Sequence, residues 1–211
     1  MSDGVVETPA PTMLKRLWRT ALVAGVLLLP LVGAAAVLAL RAPAWWSPVP
    51  RADANAADRA AAFEQGIVAE FTKVRGDAVD WAIRIRESDV NDWLGTRLPA
   101  WMESRGEPVP TGAQARMQPD ALVVGVRTGP VVAWWQARLA VQGGGIGLQD
   151  EHGGLGRLPV PGVGFALDAG WKQAALEHPI RLADGRKVRI LDVESLPGEV
   201  RLRLRTEPAS K

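Results

Sequence analysis

Residues with the chemistry for catalysis are few in this chain, and their spacing is uninformative. Asp89 and Asp92 stand three apart, which on a helix sets both carboxylates on one face, as an acid–base pair would require. The same spacing near a helix N-terminus is favoured by the helix dipole, which accounts for both residues without catalysis. The two histidines, His152 and His178, lie far apart and outside any HExxH-type spacing, so they read as turn and surface residues. Serine is scarce and no GxSxG elbow encloses one. Ser88 is expected to cap a helix and Ser195 to lie beside a turn. Gly143-Gly144-Gly145-Ile146-Gly147 has the glycine content of a phosphate-cradling loop. It joins two expected strands, however, and no Lys-Ser/Thr follows it. With no cysteine, thiol chemistry and disulfides are absent. The expectation is a protein that is not an enzyme and uses no metal or cofactor.

Binding chemistry is more visible. Arg201, Arg203 and Arg205 alternate with Val200, Leu202 and Leu204, so three guanidinium groups share one strand face. Arg186, Lys187 and Arg189 come from the preceding strand. Such a ribbon suits anionic headgroups. A solvated sheet face neutralised by Asp184, Asp192, Glu194 and Glu199 is the simpler account of the same residues. Trp134 and Trp135 are adjacent on an expected strand and must point to opposite faces, which suggests an apolar groove for an acyl chain or apolar peptide. Trp81, Trp93, Trp101 and Trp171 fall on apolar stripes and are expected in the core.

Residues 21–40 decide where this chemistry is placed. This twenty-residue run has no charged or hydrogen-bonding side chain and spans roughly 30 Å as a helix, the hydrocarbon thickness of a bilayer. Lys15, Arg16 and Arg19 precede it and only Arg41 follows closely, so the N-terminus is expected in the cytoplasm. Trp18 and the pair Trp45–Trp46 bracket the run, as aromatic belts do. A cleaved signal peptide is the competing reading, but its apolar region is normally shorter, about 7–15 residues. The expected organisation is a cytoplasmic tail (1–18), a transmembrane anchor (19–41), a Pro-rich linker (42–52) and an extracytoplasmic domain (53–211). The chain carries a formal charge of +2, which comes from the residues flanking the run. Beyond Arg41 there are as many acidic as basic residues, which argues against nucleic acid as a partner.

The domain itself reads as α+β. Ala60, Phe63, Ile67, Phe71 and Val74 make one helical stripe. Val79–Arg86 alternates as a strand, and a helix follows through Val90, Trp93, Leu94 and Leu98, with Pro99 expected to break or restart it. Ala113–Gln118 and Ala121–Arg127 flank a Pro119-Asp120 turn and should pair. Val131–Gln142 is a long strand, followed by a shorter one at Ile146–Gln149 and a turn at Asp150-Glu151. A short helix within 163–178 and a closing β-series from Pro179 complete the pattern. The expected fold is a transmembrane helix followed by a curved antiparallel β-sheet packed against two or three helices.

Ser88-Asp89-Val90-Asn91-Asp92-Trp93-Leu94 resembles the helix opening of YpmS-like membrane-anchored extracytoplasmic proteins. Leu155-Gly156-Arg157-Leu158-Pro159-Val160-Pro161 is similar to the Leu-Pro segment of those proteins and of the LmeA-like family. The order of elements is similar as well. The resemblance implies an elongated, sheet-wrapped protein of lipid-interacting or envelope-assembly type, without defined catalytic residues. The expected function is therefore non-catalytic: a single-pass, cell-membrane-anchored extracytoplasmic protein binding a lipid or other amphiphilic envelope ligand. Trp134 and Trp135 are the candidate ligand contacts, and Arg201, Arg203 and Arg205 the candidate headgroup contacts. A scaffolding subunit of an envelope complex is the alternative.

Overall fold

Among the described residues, alternation of apolar and polar residues builds nine strands, and three helices accompany them. The computed structural model describes residues 13–47, 54–76, 78–161, 180–182 and 186–208. The short helix expected within 163–178, with Trp171, lies outside the described residues. The chain divides after Leu38 into two units.

The first unit contains most of α1, Met13–Leu40, a continuous helix of 28 residues with Pro30 inside it. Its side chains are described from residue 26. From there the large aliphatics, including Val26, Leu29, Leu31 and Leu40, are 39–73 % exposed. Among the described residues no helix is long and apolar enough to cross a membrane. The part of α1 whose side chains are described, residues 26–40, rises about 22 Å at ~1.5 Å per residue.

The second unit is α+β. Helix α2 (Ala56–Thr72) leads to strand β1 (Asp80–Arg86), and helix α3 (Glu87–Ser104) begins at the next residue with no loop between. Strands β2 (Gly112–Gln118), β3 (Ala121–Thr128), β4 (Val131–Gln142) and β5 (Gly145–Leu155) follow as a meander, with a two-residue β6 (Leu158–Pro159). Then come β7 (Ile180–Arg181), β8 (Lys187–Leu196) and β9 (Glu199–Glu207).

The strands form two antiparallel sheets rather than the single curved one expected. One is four-stranded, in the order β1-β9-β8-β7, and the other five-stranded, β2-β3-β4-β5-β6. The physical reason lies at the outer edge of β2. Asn91 of α3 donates its amide to the Ala115 carbonyl (3.0 Å) and accepts from the Ala115 N–H (2.7 Å). The Glu87 carboxylate accepts from the Met117 N–H (2.7 Å), and the Met117 carbonyl accepts from Gly198 N–H (3.1 Å). These groups take up bonds that a neighbouring strand would use, so the sheet ends there.

The core sits on the inner face of the four-stranded sheet. Ile83, Val188, Ile190, Val200, Leu202 and Leu204 are buried together with Met117 of β2. Ile67 and Phe71 of α2 pack on this cluster, and Phe71 meets Trp81 edge to face at 5.6 Å between ring centroids. Ser195 joins the two sheets by donating to the Gln118 carbonyl at 2.9 Å.

Local differences from expectation have local causes. Ser88 is not a cap: α3 starts from extended Arg86 without a side-chain cap, and the Ser88 hydroxyl donates to Asp89 at 3.2 Å. Pro99 is carried inside α3, which costs the helix one backbone hydrogen bond without ending it. Asp150-Glu151 is not a turn but a bulge within β5, two residues opposite Ala137, with Asp150 at φ 52°. Trp101 is 48 % exposed rather than core, with the Arg105 guanidinium 4.6 Å from its ring centroid.

Candidate functional site

Residues 42–47, expected as the start of the Pro-rich linker, are laid against the five-stranded sheet. Trp46 is 7 % exposed, with its backbone N–H donating to the Pro43 carbonyl in a tight turn. Both indoles of Trp45 and Trp46 rest over Gly125 of β3. A Cβ there would meet Trp45 at 2.6 Å and Trp46 at 2.9 Å, so only glycine allows this approach. The segment is fastened at both ends. Ser47 N–H donates to the Gln114 side chain (3.2 Å), Arg116 donates to the Trp45 carbonyl (3.4 Å), and Arg157 donates to the Ala42 carbonyl (3.1 Å). The Arg127 guanidinium lies 5.5 Å from the Trp46 ring centroid, a cation–π contact. Trp46 is therefore packed onto protein.

Trp134 and Trp135 point to opposite faces of β4. Trp134 shares the strap's face, since Trp134, Gly125 and Gln114 stand opposite one another across β4, β3 and β2. Its ring lies beside Gly154, where a Cβ would come within 2.9 Å of the indole and closer still to the Leu158 carbonyl oxygen. The Trp134 indole N–H donates to the Gly156 carbonyl at 2.9 Å. Trp135, on the other face, is 4 % exposed and donates to the Glu151 carboxylate at 2.9 Å. The β5 bulge aims that carboxylate. Around Trp135, on the same face, stand the half-buried Val124, Val126, Ala133 and Leu155. The five-stranded sheet is thus apolar on both sides near β4, and the two tryptophans do not come together at one locus.

Arg201, Arg203 and Arg205 do share one face, the exposed face of the four-stranded sheet. Arg205 makes a bidentate pair with Asp80 (2.5 and 3.1 Å), and Arg201 binds Glu199. The hydrogen bond from Arg205 holds the Asp80 carboxyl below its ordinary value, and Asp80 in turn raises Arg205. Arg84 also reaches Glu199 (3.4 Å), and Arg189 reaches Glu207 (3.6 Å). Most of this positive charge is matched locally.

The helical carboxylates are engaged as well. Asp92 forms a bidentate pair with Arg59 of α2 at 2.6 and 2.9 Å. Glu64 of α2 accepts from the Trp93 indole (2.7 Å) and lies 3.6 Å from Arg97. These bonds fix α2 against α3. Among the described residues no group of three or more His, Asp or Glu is placed to hold a metal ion. His152 is exposed on β5, and His178 lies outside the described residues.

No protein-family model matches this chain, and neither the curated proteins nor the solved structures contain a significant match. The strap contacts Gly125, Gln114, Arg116 and Arg157 were not singled out by the sequence. Their one signal was a lone glycine amid Val123-Val124-Gly125-Val126, which in a strand marks a close approach.

Proposed function

We propose that this protein is a single-pass membrane protein, anchored through residues 19–41, whose extracytoplasmic domain binds an amphiphilic ligand without catalysis. The observation that carries the reading is α1. Its aliphatic side chains from residue 26 onward are exposed on every side, and burying such area is worth about 25 cal/mol per Å². A helix apolar all round belongs in lipid or inside a larger assembly. Lys15, Arg16 and Arg19 before it, against Arg41 behind it, set the orientation.

The ligand half of the reading rests on the five-stranded sheet. The half-buried residues around Trp135 offer an apolar strip of the sort that holds an acyl chain. Trp135 is the candidate contact beside this strip, and Trp134 belongs to the opposite face. Trp101 and Val109, 48 % and 46 % exposed, favour a second reading, a scaffolding subunit that docks another envelope protein through these side chains.

Membrane fractions washed with alkaline carbonate test the anchor. The full chain is expected to stay with the lipid, and its domain to be open to protease added from outside. Release by carbonate overturns the anchor. Native mass spectrometry of the detergent-purified chain tests the ligand. A co-purifying lipid is expected. Its absence, together with tryptophan emission that ignores added lipid, sinks that half, and a stable protein partner would then favour the scaffold.

A further inference from the structure

The basic residues bonded to the segment that follows the anchor are Arg157 and Arg116, not those of the four-stranded sheet. The uncharged run stops at Leu40, and Ala42 is two residues on, at most about 7 Å of chain. Arg157 holds the Ala42 carbonyl at 3.1 Å, and Arg116 holds the Trp45 carbonyl at 3.4 Å. Each guanidinium spends one N–H on the strap and is otherwise exposed. Among the described residues neither forms an ion pair with a carboxylate, whereas Arg201 and Arg205 are matched by Glu199 and Asp80.

We infer that Arg157 and Arg116, with Arg41, form the surface of the domain that contacts anionic lipid headgroups. This rests on the anchored reading above. The Arg157 guanidinium, bonded to residue 42, is separated from the end of the uncharged run by little more than one Debye length, ~8–10 Å, so its attraction to phosphate is only partly screened. Arg116, bonded three residues further along the strap, extends the same charge. Arginine also presents several N–H donors in one plane, so a group that gives one to the strap keeps others for a phosphate oxygen. The docked strap makes the contact directional. Because Trp45 and Trp46 are seated on Gly125, Arg116 and Arg157 are held beside the segment that leads to the anchor. The arginines of the outer four-stranded face then serve solubility, their charge satisfied within the fold.

The test uses the full chain in nanodiscs of phosphatidylcholine alone and of phosphatidylcholine with phosphatidylglycerol in equal parts. The chain has no cysteine, so single labels can be placed by Pro159→Cys, beside Arg157, and by Ala82→Cys, on the outer face of the four-stranded sheet. Quenching by headgroup-spin-labelled lipid is expected to rise at position 159 in anionic discs, to fall with added salt, and to stay constant at position 82. Each guanidinium should contribute about fivefold to the association. Arg116→Gln with Arg157→Gln should remove the rise, and the double lysine variant should retain it, which separates charge from folding. Quenching at 159 that ignores headgroup charge, in chains that co-elute with the discs, overturns this inference alone. So does a rise at position 82 in place of 159. A chain that fails to enter discs overturns the anchor and this inference with it.

Discussion

The four-stranded and five-stranded sheets are both antiparallel, and they solve the problem of their second face differently. In the four-stranded sheet the alternation is strict. Val200, Leu202 and Leu204 go to the core, while Arg201, Arg203 and Arg205 go to water and are balanced by Asp80, Glu199 and neighbouring carboxylates. In the five-stranded sheet the second face is covered by the chain's own residues 42–47, bound through backbone carbonyls and two indoles. The outer face of one is made of charge pairs at the surface, each worth little. The outer face of the other is made of buried aromatic area, worth several times more. Stability should therefore be sensitive to substitution on the strap face and nearly indifferent on the arginine face.

The largest effect that can sharpen this contrast is expected from Trp46→Ala. Urea unfolding in detergent should show a loss of about 3 kcal/mol, as for other buried aromatic truncations. A change no larger than that of an arginine variant would break the contrast. Gly154→Ala forces a Cβ against the Leu158 carbonyl and the Trp134 ring, and about 2 kcal/mol should be lost in the same measurement. Asn91→Ala leaves the Ala115 N–H and carbonyl unpaired at the β2 edge. A loss of about 1.5 kcal/mol is expected, with faster hydrogen exchange confined to β2. Arg203→Gln should stay within about 0.5 kcal/mol of the parent chain.

The smallest effect is a dependence on acid. Asp80 has a lowered folded pKa, so its pair with Arg205 stabilises the fold above the ordinary carboxylate range and that contribution is lost as pH falls through the lowered value. Arg205→Gln should therefore flatten the acid limb of the unfolding midpoint by lowering it slightly at neutral pH, and leave it almost unchanged below the lowered value. An unaltered limb would assign the acid sensitivity to other carboxylates.

The four-stranded face was legible because period-two alternation is a local property. Arg201, Arg203 and Arg205 needed only their neighbours to be assigned to one side. The hairpin of β2 and β3, with its Pro119-Asp120 turn, was legible for the same reason. The strap was not, because its partners are 67 to 115 residues away in the chain: Ser47 with Gln114, Ala42 with Arg157. Residues 42–52 carry three prolines, and the local rule for such a stretch is an extended linker. Ser88 misled by composition, since a serine ahead of an apolar run normally caps a helix. Here strand β1 enters α3 directly, and Glu87 reaches Met117 instead of closing a capping box. The bulge at Asp150-Glu151 carries turn-forming residue types, and only its partner strand shows that it is a strand irregularity.

The amide of Asn91 has a consequence for growth. A five-stranded sheet ordinarily offers two sides to which another chain can add, and such addition is how many assemblies and most fibrils begin. At β2 an incoming strand would have to displace a side chain that already donates to and accepts from Ala115, with Glu87 and Gly198 holding Met117 beside it. A partner that recruits it by strand addition meets a closed edge at β2, which Asn91 closes together with Glu87 and Gly198.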